Sequence, residues 1–550
     1  MLPHPRHRAG GRRHLIRAER AADGSLRLIG EPLRAHARSP VELLDAAARE
    51  APDRPFLIEP GERGAWRSAT YATVAERSRR AAAALIALGA SADRPLLVLE
   101  PNGIAHATMA FGAMRAGVPF AAADPAAARA ENARSLTAIA ELVRPSVVFA
   151  HDDACAPAVR AAAPDAAFVC VAEARGAAPC VDYVRVTRHA PLGGDVEPPS
   201  GETVAKIVIV RRDDEPAGVV TTHGMLCAMV ESVVQRWPVL ETHPSMVADA
   251  APWHRGFGGN VVLGLVLRTR GTLALERGGA DAAPTLAFDV PSGWARWVEL
   301  LRGDDALRLR WLATIERACW FGAPLRPAAR DALLALGVPL AGMWGAAETT
   351  SLAAVADDPN PRHDAIGVPL PGIELKLVRD GDRFEARVRG PHVTPGYWWR
   401  PDLTARAFDD EGFFRTGDLV RPIDGRAPRR GLVLAGRNDD RFTLATGTWV
   451  DRARLRAAFL AECSDAAGAL VTGEGREECG LVVWPNAEGA RLDRDVLRAQ
   501  VHAAMHRMRG MHAAPQRALV VDRAPSERER AALTARLHAS EPDAEVIVAS

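Results

Sequence analysis

Two short polar clusters carry the residue types that can grip a sugar diol and a phosphate ester: Thr416-Gly417-Asp418 and Gly436-Arg437-Asn438-Asp439-Asp440. A carboxylate accepts from paired hydroxyls, and a guanidinium donates in a fork that matches phosphate oxygens. Each cluster follows an apolar or aromatic run that reads as a strand, so each falls at a strand end or in a tight turn. Taken alone, the same Asp and Gly residues serve equally as two solvated turns.

Other stretches can be weighed for chemistry. A loop that cradles phosphate needs glycines, hydroxyls and a lysine. After the apolar run 206–210, the chain instead reads Arg211-Arg212-Asp213-Asp214-Glu215-Pro216-Ala217-Gly218, an acidic surface turn. Lysine chemistry has two candidates, because Lys206 and Lys376 are the only lysines and every other cation is Arg. Trp253, His254, Phe257 and Gly258 stand at a strand-to-helix junction and suit the rim of a pocket. A Gly-rich turn with a packed Trp reads equally well there.

Positioning these groups needs a layered α/β scaffold. Residues 41–51 and 71–88 show helical spacing of Ala, Leu and Val. A strand at 96–99, a Pro-Asn-Gly turn, a helix to residue 116 and a second strand form a βαβ unit and imply a parallel sheet. A helix at 129–143 and strands at 146–150 and 167–171 extend the pattern. Residues 190–201 read as a linker. Further strands are expected at 246–250, 273–275, 318–321 and 339–343, and helices at 222–235 and 327–336.

At 550 residues the chain exceeds one core, and three or four packed units are expected. A formal charge of +1 gives no global pull toward nucleic acid or an anionic membrane. The seven cysteines are scattered without a close pair, which argues against a disulfide framework or structural zinc and for a reducing, cytoplasmic setting. No run approaches the twenty apolar residues of a membrane span, and the N-terminus lacks the apolar core of a signal peptide. Residues 1–30 read as a loosely ordered basic tail.

The order of GAPL (322–325), WGAAETT (344–350), GVPLPGIELKLV, GYWWRPDLTARAF, GFFRTGDL and GRNDDRFTLATGTWV resembles the adenylate-forming (AMP-binding) superfamily of acyl-CoA synthetases, luciferases and adenylation domains. APWHRGFGGN, RVRGPHVTPGYW and LATGTWV are most similar to feruloyl-CoA synthases within it. The resemblance runs from about residue 40 to at least 485. It implies an α/β fold: a large N-terminal domain (31–436) of two parallel-sheet subdomains and a small barrel near 365–436, a hinge at 437–440, and a small mobile α+β C-terminal domain (441–550). It further implies that Glu348 holds Mg²⁺, that Asp418 and Arg437 hold the ribose or phosphate of ATP or AMP, and that Asp440 is the hinge. Gly447 would enter the site in the thioester-forming state. Gly322, Ala323, Pro324, Trp344 and Gly345 would flank the nucleotide. The implied reaction joins a hydroxycinnamate-like acid to coenzyme A through an acyl-adenylate.

Several positions depart from that pattern. Pro216 is kept but Ala217 stands at the lysine position, Ala347 replaces a Thr, Thr443 replaces a usual lysine, and the region after Pro515 has no lysine, leaving Arg528 or Arg530 nearby. Guanidinium does not substitute directly for a point-charge ammonium. An acid–CoA ligase with weak turnover and a non-catalytic nucleotide- or acyl-binding relative are therefore both open.

Overall fold

The computed structural model describes residues 16–21, 24–61, 64–129, 132–171, 180–191, 199–212, 215–249, 251–275, 283–438, 441–446, 448–509, 511, 513–539 and 545–548. It divides into two compact units, the first comprising residues 1–416 and 421–434, the second 417–420 and 435–550.

The first unit grows from the expected βαβ element. Strand Leu96–Leu99 pairs in parallel with Phe120–Ala122 (Leu96 opposite Phe120), and helix Ile104–Arg115 crosses between them. Gly112 allows the close approach of helix Tyr71–Ala87, since a Cβ there would lie 2.7 Å from that of Ala81. The sheet continues through Val147–Ala150, Ala167–Cys170 and Val181–Asp182 on one side, all parallel. On the other side Val204–Arg212 joins Phe120–Ala122 in parallel. The helix spans Ala133–Val143 where 129–143 was expected, and a separate 3₁₀ turn, Pro125–Ala128, precedes it.

A second parallel run has the order Pro55–Pro60, Thr272–Ala274, Met246–Ala248, Leu286–Asp289, Arg317–Phe321, Leu340–Trp344. Antiparallel strands Ala354–Ala356 and Ala365–Pro369 extend it, so the stretch expected as a separate barrel begins as a continuation of this sheet. In the second unit, strands Ala466–Thr472, Gly480–Pro485, Arg517–Val520 and Val546–Val548 form one sheet. Helices Arg452–Glu462 and Arg494–Arg507 help to close a core that includes Phe459, Val501 and Met505. Among the described residues no helix is long and apolar enough to cross a membrane.

Three expectations need correction. The basic tail is, in its described part, a strand pair: Arg17–Arg20 lies antiparallel to Leu26–Ile29, which pairs with Glu374 through Leu377. Alternation is the reason, with Leu28 fully buried and Arg27 reaching Glu374 at 3.2 Å. The acidic turn at 210–218 is a β-hairpin, Val204–Arg212 against Glu215–Thr222, with Arg212 opposite Glu215. Finally, Cys170 and Cys180 form a disulfide, with Cα atoms 6.4 Å apart, where no pairing was expected.

Truncating Leu28 to Ala leaves a void under a strand and is expected to cost about 2–4 kcal/mol, as for other buried leucines. Urea unfolding of the variant measures this. A loss below about 0.5 kcal/mol, the usual bound for surface positions, returns the segment to a dispensable tail.

Candidate active site

The strand Leu340–Trp344 ends in Gly345, where a Cβ would meet the Leu352 backbone at 2.6 Å, so the chain turns tightly. A 3₁₀ turn, Ala347–Thr349, follows, and Thr350 and Ser351 take positive φ values of 51° and 76°. His392 braces this turn. The Thr350 hydroxyl donates to its carbonyl at 2.8 Å, and its ring Nδ1 lies 3.2 Å from the Thr349 carbonyl. Burial lowers the His392 pKa to about 4, leaving the ring neutral. Glu348, held on this turn, is sealed from water with its side chain 1% exposed.

Two partners meet its carboxylate. The backbone of residues 394–398 lies along the hairpin, with the Trp398 N–H donating to the Gly218 carbonyl at 2.7 Å and Val219 bridging Tyr397. The Thr394 N–H donates to the Glu348 carbonyl at 2.7 Å. Tyr397 consequently donates its hydroxyl to Glu348 Oε1 at 2.6 Å. Arg212, the last residue of its strand, pairs through Nη2 with the same Oε1 and donates from Nε to the Tyr397 hydroxyl at 3.3 Å. Burial pushes the Tyr397 hydroxyl up, and Glu348 pushes it further, so it remains a donor. Burial alone would lower Arg212, yet Glu348 and Tyr397 raise it above its ordinary value. Glu348 Oε2 is buried without a hydrogen-bond partner among the described residues.

That geometry bears on the divalent cation expected at Glu348. A hard dication seeks carboxylate oxygens unopposed by positive charge. Here a guanidinium and a phenol hold Oε1, and although Oε2 is unpartnered among the described residues, the carboxylate's charge is already matched by Arg212, so the residues present do not fit Mg²⁺. Among the described residues no group of three or more His, Cys, Asp or Glu could hold a metal.

The remaining expected positions fall in several places. Gly322 takes φ 87°, as a left-handed turn requires, and Gly322, Ala323 and Pro324 are exposed in a loop after strand Arg317–Phe321. Trp344 is buried. In the second unit Arg437 Nη1 donates to Asp418 Oδ1 at 2.6 Å, and the Asn438 N–H donates to the Gly417 carbonyl at 2.7 Å. The expected strand-end or turn placement needs correction for the first cluster: Thr416-Gly417-Asp418 lies within strand Phe414–Pro422, while Arg437 ends strand Leu432–Arg437, and the ion pair joins the two. Asp440, Gly447 and Asp439 lie outside the described residues, as do Asp213 and Asp214. Arg530 is exposed on helix Glu527–Leu537.

Around the expected acid pocket, Trp253 is buried edge-on to His106 with centroids 5.1 Å apart. Its backbone N–H donates to Asn102 Oδ1 at 2.8 Å. His254 is half-buried, and burial lowers its pKa although Asp124 opposes this. Phe257 opens a π-helical turn, Phe257–Val262, and stacks on Phe321 at 3.6 Å. Such turns break helical regularity and recur at functional sites. Gly258 lies against the Ala251 carbonyl, which a Cβ would strike.

Lys206 joins these segments. Its ammonium is buried, donates to the Trp253 carbonyl and to Asn260 Oδ1, each at 3.1 Å, and sits 5.5 Å from the Phe120 ring centre. Lys376, by contrast, is paired with Glu411 and lies 3.5 Å from Asp409, a structural role. Arg212, Tyr397 and Asn260 were not singled out as site residues from the sequence. Their signals, an Arg ahead of three acids, a scarce Tyr and an Asn closing a Gly run, become specific only once the partner is known.

A family model described as AMP-binding enzyme matches residues 44–207 and 215–398. The chain belongs to the AMP-binding enzyme family. The break in the match falls at the hairpin that carries Arg212. A Mycobacterium tuberculosis protein named as a fatty-acid–CoA ligase, fadD11, is 29% identical over 36% of this chain, which spans only 33% of that protein's length. Salicyl-AMP ligase/salicyl-S-ArCP synthetase of the same species is 28% identical over 72% of this chain and 73% of its own. Crystalline ATP-bound MatB from Rhodopseudomonas palustris superimposes with a TM-score of 0.71 at 21% identity, covering 88% of this chain and 96% of that one, which establishes a common α/β fold. The family's members are adenylate-forming enzymes with a large N-terminal and a smaller C-terminal domain.

Burial lowers the Lys206 pKa from the ordinary 10.5 to about 7. Above pH 7 the folded chain loses this proton first while the unfolded chain still binds it, so stability contributed here rises with pH up to 10.5. The limiting slope is about 1.4 kcal/mol per pH unit. Urea unfolding of wild type and Lys206→Met from pH 7 to 10 is expected to show that rise only in wild type, and parallel profiles would refute it.

Proposed function

We propose that the chain is an aryl-acid ligase of the adenylate-forming type. A carboxylate oxygen of the acid attacks the α-phosphorus of ATP, pyrophosphate leaves, and the thiol of coenzyme A then attacks the acyl carbon and releases AMP. Family membership across residues 44–207 and 215–398 carries this reading. The salicyl-AMP ligase among its relatives, and the aromatic wall of Phe257 and Phe321, favour a flat aromatic acid of the hydroxycinnamate class. Asp418 and Arg437 hold the ribose and phosphate, and Gly322, Ala323, Pro324, Trp344 and Gly345 border the adenine. Asp440 provides the hinge, and His254, Trp253, Phe257 and Gly258 border the acid.

One observation favours a second reading, a nucleotide-binding relative with little turnover. The hairpin aligns Ala217 with Val210 inside a regular ladder, and Ala217 is fully buried. An apolar methyl there supplies no charge for a leaving pyrophosphate, and loss of one oriented donor costs about 10²–10³ in rate.

Acid-dependent ATP–pyrophosphate exchange with ferulate separates the two. The ligase reading expects exchange that requires the acid, and a thioester product once coenzyme A is added. Exchange at the no-acid background, with AMP still bound, hands the site to the second reading. Either way, Asp418→Ala is expected to weaken AMP by about 10–100-fold, the range for a lost charge-assisted hydrogen bond. Calorimetric titration with AMP measures this, and unchanged affinity removes Asp418 from the site.

A further inference from the structure

Of the Arg212–Glu348–Tyr397 cluster, Arg212 alone lies outside the motifs that carry the family resemblance. We propose that Arg212 is a built-in counter-ion that replaces a divalent cation here, so that the site binds a nucleoside monophosphate or acyl-adenylate without metal and prefers it to the triphosphate. This inference rests on the nucleotide-site reading above and specifies how charge is managed within it.

Three observations carry it. The first is position: Arg212 is the last residue of its strand, and its side chain is 39% exposed while Glu348 is 1% exposed. The guanidinium therefore has one face on the buried carboxylate and another open. The second is donor number. Arg212 donates from Nε to Tyr397, from Nη1 to the Arg211 carbonyl at 3.4 Å and from Nη2 to Glu348. A guanidinium has five N–H donors in a fixed fork, so among the described residues two are left for a phosphate oxygen pair. The third is the carboxylate: Oε1 accepts from both Tyr397 and Arg212, so the negative charge that would draw a dication is already neutralised.

Net charge then sets the preference. A dication offsets much of the charge of a triphosphate, whereas the Glu348–Arg212 pair sums to zero. A monophosphate, with fewer charges to match, is held by the remaining fork and needs nothing further. Arg keeps its charge at any physiological pH, so the device does not switch off.

Calorimetric titration of the full chain with AMP and with ATP, each in excess EDTA and in excess MgCl₂, tests the proposal directly. The AMP dissociation constant is expected to agree within twofold between the two conditions, and ATP is expected to bind at least tenfold more weakly than AMP in both. In Arg212→Gln, AMP in EDTA is expected to weaken at least tenfold, with MgCl₂ recovering part of the loss because Glu348 is released. ATP binding at least tenfold tighter in MgCl₂ than in EDTA for the wild type overturns the counter-ion role while leaving the nucleotide site intact. Failure to bind either nucleotide in any condition overturns the site reading, and this inference with it. The wild-type comparison needs no variant to fold.

Discussion

A carboxylate removed from water must find a cation or several donors, because an unpaired buried charge costs several kcal/mol. Glu348 is such a group, and much of the first unit's local structure follows from satisfying it. Its turn is braced by His392 and by the tight Gly345 approach. Tyr397 arrives because the Gly-Tyr-Trp-Trp segment bridges the hairpin, and Arg212 arrives because that hairpin ends beside the turn. Three segments far apart in the chain therefore depend on one oxygen, Glu348 Oε1.

How much of this was legible in the sequence varies with the range of the interaction. Leu96–Leu99 was read with its observed bounds, because four apolar residues closed by Pro-Asn-Gly constitute a local signal. The hairpin at 204–222 was missed. Three successive acids suggest solvent, whereas the two strands are defined by cross-strand pairing such as Val208 with Val219, which no local pattern declares. The N-terminal strands were missed for a similar reason: Leu-Arg-Leu-Ile is short, and only the facing edge at Glu374 through Leu377 makes it a strand. The Cys170–Cys180 link spans ten residues without a spacing signature.

Candidate residues were legible as types and positions, while their relations were not. Asp418 and Arg437 stand out as charged residues beside glycine after apolar runs, yet both belong to strands, and their ion pair exists only in three dimensions. Glu348 was expected to face a metal, and its actual neighbour, Arg212, lies 136 residues away. Arg212 stands next to three acids in sequence, yet the buried acid it pairs with is a distant one.

The two cations at the heart of the first unit show why residue type matters in a chain that uses Arg almost everywhere. Lys206 is buried against a carbonyl and an amide oxygen, and among the described residues no carboxylate pairs with it. An Arg there would bring a charge that cannot be shed, whereas a lysine can fall to the neutral amine, as its pKa of about 7 reflects. At position 212 the requirement is reversed. A buried carboxylate demands a partner that stays charged and reaches two acceptors at fixed angles, and a guanidinium does both where an ammonium does not. Codon preference can account for arginine over lysine on the surface. At these two positions the electrostatic environment decides, in opposite directions.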